Sequence, residues 1–545
     1  MTVQTLINKT QNTILSAAFI ILMSTGFGAI LGVIKNRLLA DKFGVSSELA
    51  VFYTADFIPS LLYSVLIVGA VSTVFIPIFT SLLKKSRDEA FKTASTIINS
   101  TLIFFLLVGT IIVIFAPFMF KVVSLNQFDA KDTITGANLM RLLVISQMFL
   151  VCGSLATSIL QSFKYFLIPA LAPVVYNLGI LLGIVFLSPI MGIYGPAVGV
   201  IIGAVIHFTI QIPLLKSAGF KFSLSLNLKD SGFAKTLSLI PPRIASVLIA
   251  NLVQTINNSF AILISTSSVI VLKFANQLQG FPINLFGFSI AAASLPTLSS
   301  EGESKDLTAF KKTFLTSFHQ MMFLVLPLSM ILFILRVPVV RIVYGVSNFP
   351  WETTLETASV LAIFSFSIFA QSANYLITRS FYALKDTVTP VFVAVITSII
   401  NVAFSAFLVV VLKYNVWAVA FSYSITSLFD MLILLYLLDR KIGRLGNKEL
   451  FGPFAKISVS AILMGITLYI PIKLLDQVIF DTTRTVNLLT LTIIAGLCGV
   501  VTYLVFTKIF KVEEIELLYS IVRKLNLSKK ETGTEIPRYT ETPTE

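Results

Sequence analysis

IINSTLIFFLLVGTIIVIFAPFMF, residues 97–120, lies between Lys92 and Lys121 and contains no charged side chain. About 20 apolar residues in a helix match the ~30 Å hydrocarbon core of a bilayer. Lipid offers no partner to a backbone N–H or C=O, so a run of this kind has to be helical to pair them internally. The pattern recurs in both directions along the chain. Spans are predicted at 13–40, 49–83, 90–123, 137–162, 165–188, 190–216, 232–260, 267–298, 307–335, 353–379, 385–412, 415–438, 450–473 and 486–508. Composition agrees: 56% of residues are hydrophobic, 12% are charged and the mean hydropathy is +0.92. Soluble domains carry about 25% charge because their surface faces water. The expected fold is therefore all-α and polytopic, with about 14 transmembrane helices.

The net charge of +14 is a matter of topology. With the N-terminus cytoplasmic, about 26 Lys and Arg fall in cytoplasmic segments and about 10 outside, the bias of the positive-inside rule. Both termini are then expected inside, on a multi-pass protein of the cytoplasmic membrane. No basic, aromatic module stands apart from the spans, so nucleic acid is excluded as a partner. Cys152 and Cys498 sit in apolar spans without ligand spacing and read as small hydrophobes, not metal ligands. The first apolar run is too long for a signal-peptide core and is read as a retained helix.

Internal echoes suggest duplication. Pro77 precedes Ala90-Phe91-Lys92 as Pro296 precedes Ala309-Phe310-Lys311, and Ser162-Phe163 leads to Pro173-Val174 as Ser380-Phe381 leads to Pro390-Val391. A repeat of six spans enters the membrane from the same side each time, giving parallel units with a site expected between them. The division is 1–216 and 217–440 as two six-helix lobes, 441–510 as two extra helices, and 511–545 as a cytoplasmic tail. In that tail 512–525 reads as amphipathic, and the Ser/Thr/Glu/Pro-rich end reads as disordered.

Two strings carry a resemblance. QSFKYFLIPALAPVVYN at 161–177 and RSFYALKDTVTP at 379–390 resemble the entries to the fifth and eleventh helices of the MurJ (MviN) family of lipid II flippases. Leu31-Gly32, Pro59, Phe75-x-Pro77 and Phe281-Pro282 are similar to further family positions. The resemblance covers roughly 15–440. It implies two lobes in a V around a central cavity, with the two extra helices forming a groove for a polyprenyl tail. It also implies transport of lipid II, a lipid-linked saccharide-peptide diphosphate for peptidoglycan, from the inner to the outer leaflet by alternating access. The implied partners are that anionic substrate, membrane lipids and cell-wall synthesis proteins.

The cavity charges differ from the family pattern. Where the family reads Ser-Arg-x-Leu-Gly-x-x-Arg-Asp, this chain has Gly28-Ala29-Ile30-Leu31-Gly32-Val33-Ile34-Lys35-Asn36, and family Ala-Asp-Arg becomes Ala275-Asn276-Gln277. Polar groups inside spans are functional suspects. Lys35 stands at a family arginine position. Lys273, one helical turn before Gln277, could supply the cation that Gln277 lacks; either lysine could instead snorkel to the interface. Arg243, Asn276 and Gln277 complete the candidate substrate-binding set. Asp56, three residues before Pro59, is the candidate for ion coupling or for pairing with Lys35. No catalytic constellation, phosphate-binding glycine loop or zinc spacing is present in the sequence. A transporter without a cofactor is expected, driven by an ion gradient or the membrane potential. Two other readings remain: an exporter of another polyprenyl-linked glycan or amphipathic molecule, and a non-transporting membrane scaffold.

Overall fold

Caps, prolines and glycines set where the helices begin and end. Ser46, Ser86 and Asp129 each accept a hydrogen bond from a backbone N–H three residues on. The turns they start carry Glu48, Asp88, Glu89 and Asp132, acids that suit a helix N-terminus. The computed structural model describes residues 14–67, 72–224, 226–227, 233, 241–304, 307–475 and 485–516. Among these residues every regular element is helical.

In chain order the first elements are α1 (Ile14–Phe43), α2 (Ser47–Ile67), α3 (Ser72–Leu83), α4 (Arg87–Ile114), α5 (Ala116–Val123) and α6 (Ala130–Ser162). There follow α7 (Leu167–Met191), α8 (Tyr194–Ser217), α9 (Pro241–Ile264), α10 (Ser268–Glu301), α11 (Thr308–Ile334) and α12 (Arg336–Tyr344). The remainder are α13 (Trp351–Ser365), α14 (Ile368–Ala383), α15 (Val388–Val411), α16 (Trp417–Ile442), α17 (Asn447–Leu475) and α18 (Thr485–Ile509). Among the described residues twelve helices are long and apolar enough to cross a membrane, or thirteen if α13 and α14, bent by 43°, form one span. The expected count of fourteen is not reached on this measure, because the thirty-residue α1 is not among them. Of the expected amphipathic segment at 512–525 only 512–516 is described; its remainder and the end of the tail lie outside the described residues.

Duplication is visible in the helix starts. Ser47 and Ser268, Arg87 and Thr308, Ala130 and Trp351, and Leu167 and Val388 are each 221 residues apart. The echoes read from the sequence lie two to four residues off this register. Phe163 ends α6 as a cap and corresponds to Leu384, which caps α14, not to Phe381 one turn earlier. Phe381 is buried in the helix, and an apolar residue at a helix end is common enough to mimic a repeat.

One buried core joins Leu39, Phe75, Phe79 and Phe120 to Phe274, Tyr344 and Phe364, so it crosses from the first repeat into the second. Another runs from Phe310, Phe314 and Phe323 to Met464 on α17 and Tyr503 on α18. The Tyr503 hydroxyl donates to the Phe323 carbonyl at 2.7 Å. Large apolar side chains such as Phe186 and Ile190 point outward, 64% and 82% exposed, which lipid tolerates and water would not. Cys498, read as a small hydrophobe, is exposed on this surface. Lipid is as apolar as leucine, so close packing and polar contacts select the helix pairs. Gly179 and Gly183 of α7 face Gly195, Gly199 and Gly203 of α8, and a Cβ on Gly183 would stand 2.5 Å from the Gly199 Cα.

The loop between α14 and α15 is fixed by Asp386. Its carboxylate accepts from the Val388 and Thr389 N–H groups at 3.2 and 3.0 Å, the Thr389 hydroxyl at 2.7 Å and Lys441 Nζ at 2.5 Å. Partial burial opposes ionisation, but Lys441 and the Thr389 bonds outweigh it and hold the acid at about 2. The folded value lies below the ordinary ~3.9, so the contribution is complete above pH ~4 and fades as pH falls toward the folded value. Asp386→Ala is expected to cost about 1 kcal/mol at neutral pH. Thermal unfolding in detergent should show the gap to wild type closing at acid pH; a gap independent of pH would contradict this.

Candidate functional site

The site begins with a break in α2. Pro59 has no N–H to donate and its ring crowds the carbonyl four residues back, at Ala55. Helix therefore stops at Ala55, Asp56 forms a turn, and helix resumes at Phe57. The Asp56 carboxylate lies in the field of Lys273 and, more weakly, Lys35. Lys35 in turn feels Lys273 and Asp56. The three residues come from α1, α2 and α10, so the charges meet across the boundary between the repeats. Each keeps partly exposed surface, and among the described residues no ion pair within 4.0 Å joins them. Lys273 Nζ sits 5.7 Å from the centre of the Tyr53 ring, and Tyr53 meets Phe274 edge-on at 6.3 Å.

Beside these charges the two repeats are bonded together. Asn36 Nδ2 donates to Gln277 Oε1 at 2.7 Å, and the Tyr53 hydroxyl donates to Asn36 Oδ1 at 3.3 Å. A Cβ on Gly32 would come to 3.0 Å from Gln277 Nε2, so the bare glycine lets α10 approach. Further along α1, Arg37 Nη1 donates to the carbonyls of Ile342 and Val343 at 2.5 and 3.1 Å. A cation at the C-terminal end of α12 also suits that helix's dipole. Asn348 Nδ2 donates to the Asp41 carbonyl at 2.6 Å. From Gly32 to Asp41 this end of the boundary is sealed.

The structure thus brings Lys35, Asp56 and Lys273 together and uses Gln277 in the seal. Asn276 belongs to a chain of amides: Gln279 Nε2 donates to Asn276 Oδ1 at 2.7 Å, and Gln371 Nε2 donates to Gln279 Oε1 at 3.1 Å. Arg243 lies in α9, but its side chain is outside the described residues. Asn257, Asn401, Ser405, Ser422 and Thr426 form a buried, mutually hydrogen-bonded network, which is glue between helices.

Sequence reasoning missed three residues. Arg37 binds backbone carbonyls, which have no sequence signature. Asp430 lies in the middle of α16, and the rule that singled out Asp56 applies to it equally. Its Oδ1 accepts from the Thr397 hydroxyl at 3.3 Å. Arg379, the last residue of the predicted span 353–379, belongs to α14, where it lies over the Phe288 ring at 4.5 Å and donates to the Phe288 carbonyl at 2.9 Å. Asp430, Arg379, Tyr375, Tyr423, Asn374 and Gln254 line a cavity of about 490 Å³ within the second repeat.

The probable lipid II flippase MurJ of Borreliella burgdorferi is 24% identical over 426 residues, 78% of this chain and 83% of its own length. A solved lipid II flippase MurJ in an inward closed conformation superposes with a TM-score of 0.77 at 24% identity, covering 91% of this chain and 100% of that one. An inward-facing multidrug resistance MATE family transporter of the MOP superfamily gives 0.65 at 14% identity, over 78% and 98%. Both solved structures speak to fold. The family model for the lipid II flippase MurJ matches residues 39–489, and with that much of its length matched the chain belongs to the MurJ family.

Proposed function

We propose that this chain is a flippase for lipid II, carrying its diphosphate-linked headgroup across the cytoplasmic membrane between the two repeats. The observation that carries the reading is the pair of lysines, Lys35 on α1 and Lys273 on α10, close enough to interact electrostatically across the repeat boundary. A diphosphate cannot enter hydrocarbon uncompensated, and charge-assisted hydrogen bonds to phosphate oxygens are the strong kind. Two lysines from opposite repeats can hold one anion from both sides, and Asp56 balances part of their charge when no substrate is there. The polar cavity of Arg379, Asp430 and the tyrosines offers the saccharide and peptide a route that avoids lipid. The sealed end at Asp41 and Asn348 is the external one, with both termini cytoplasmic, in keeping with the distribution of positive charge. Transport then requires the seal to open as the opposite end closes.

Expression of this chain is expected to restore growth to cells depleted of their own lipid II flippase. In the rescuing protein, a reporter fused at Arg444 should read inside and one at Asn126 outside. Full membrane levels without rescue would remove lipid II as the substrate, and an external signal at Arg444 would invert the proposed direction.

A further inference from the structure

Beyond α18 the chain turns back onto the bundle. Lys511 adopts left-handed backbone (φ 52°), and the Val512 N–H returns to the Thr507 carbonyl at 2.9 Å. That closing bond satisfies one of the orphan carbonyls of the last turn. Val512 is buried, and Ile515 packs on the same core. Held between these two apolar anchors, Glu514 is directed inward. Its Oε1 lies 3.8 Å from His319 Nδ1 on α11, and its Oε2 is buried without a hydrogen-bond partner.

The imidazole of His319 is also buried. Its Nε2 is 3.1 Å from the Leu450 carbonyl on α17. A carbonyl oxygen only accepts, so Nε2 carries a hydrogen. A neutral ring would then turn the lone pair of Nδ1 toward a carboxylate, lone pair against negative charge. The contact becomes attractive with one more proton. That proton sits on Nδ1, giving an imidazolium–carboxylate pair, or on Glu514, leaving a neutral acid beside the ring. The other charged groups lining this groove are Lys311 and Lys312 from α11, Glu449 and Lys456 from α17, and Lys511, Glu513 and Glu516 from the returning segment. Lys311 is engaged with the Gly443 carbonyl at 2.7 Å, and the other six are exposed to solvent. Among the described residues Glu514 has no ion-pair partner but His319.

We propose that His319 and Glu514 form a proton-binding site that fastens the segment after the last span to α11 and α17. Docking of 511–516 is complete when the pair holds its proton and is lost as pH rises and removes it. The site ties the position of the C-terminal chain to the pH at the face of the membrane where α18 ends.

The test is a nitroxide at Glu513→Cys in the full-length protein in lipid nanodiscs, with Cys152 and Cys498 replaced by serine. In the wild-type background the ratio of immobile to mobile signal is expected to fall at least about ten-fold as the pH is raised from about 5 to about 8, the equivalent of one pH unit of coupling. Glu514→Gln keeps a donor for Nδ1 without a charge and should remain immobile throughout. His319→Phe leaves the carboxylate unpartnered and should be mobile at neutral pH. A Glu514→Gln protein that titrates like wild type would overturn the proposal. So would a wild type whose signal does not change with pH.

Discussion

Lys35→Gln is expected to abolish rescue of flippase-depleted cells while membrane levels stay normal. Lys35 stands half-buried beside Lys273 and Asp56, where water screens charge poorly. A charge-assisted hydrogen bond to a buried anion contributes roughly 1.5–3 kcal/mol, so its loss costs ~10- to 100-fold in affinity. Removing Lys35 also leaves Asp56 with only Lys273 to balance it, which adds to the penalty on an incoming anion. Lys35→Arg keeps the cation and should retain function. Lys273→Gln should be milder alone, because Lys35 remains, and should deepen the defect of weak Lys35 variants. Normal growth of cells carrying Lys35→Gln together with Lys273→Gln would remove the lysine grip from the mechanism.

Gly183→Leu should prevent α7 and α8 from packing at all. The first added atom would already lie 2.5 Å from the Gly199 Cα, and the obstacle is backbone, which no rotamer can move. The helices would have to separate along the whole glycine seam. Overpacking of this kind costs about 3 kcal/mol or more. The readout is the yield of monodisperse protein and its thermal midpoint in detergent. Gly496→Ala is the control: a Cβ there meets nothing within 4 Å, so the change should stay within about 0.5 kcal/mol. Equal behaviour of the two variants would mean that the α7–α8 contact is not a close one.

What the sequence made legible follows from the cost of error in lipid. A span must be long, apolar and helical, so the helices were readable from runs such as 97–120, and Pro59 and the caps explain their ends. Charge inside a span is costly, so Lys35, Asp56 and Lys273 stood out one by one. Pairing of Asp56 with Lys35 was one expectation and a shared substrate role for Lys35 and Lys273 another; how near the three stand was not readable, because they lie on three helices and one of the three belongs to the other repeat. The seal was less legible still. Asn36 and Gln277 are ordinary polar residues until they are seen 2.7 Å apart, and Arg37 binds backbone carbonyls that any sequence supplies. Single motifs located the repeat only to within a turn of helix, since Phe163 and Phe381 look alike but occupy different places in their helices.

A headgroup that travels between the repeats can pass only when the sealed end opens. Asp41→Cys with Asn348→Cys, in a protein otherwise free of cysteine, places a crosslinkable pair where Asn348 now meets the Asp41 carbonyl at 2.6 Å. The measurement is the fraction of lipid II headgroup accessible at the outer surface of cells that have this chain as their sole flippase. Accessibility should drop to the level of depleted cells when the crosslink forms and recover when a reductant breaks it. Outer exposure that continues undiminished with the crosslink in place would contradict transport through this boundary.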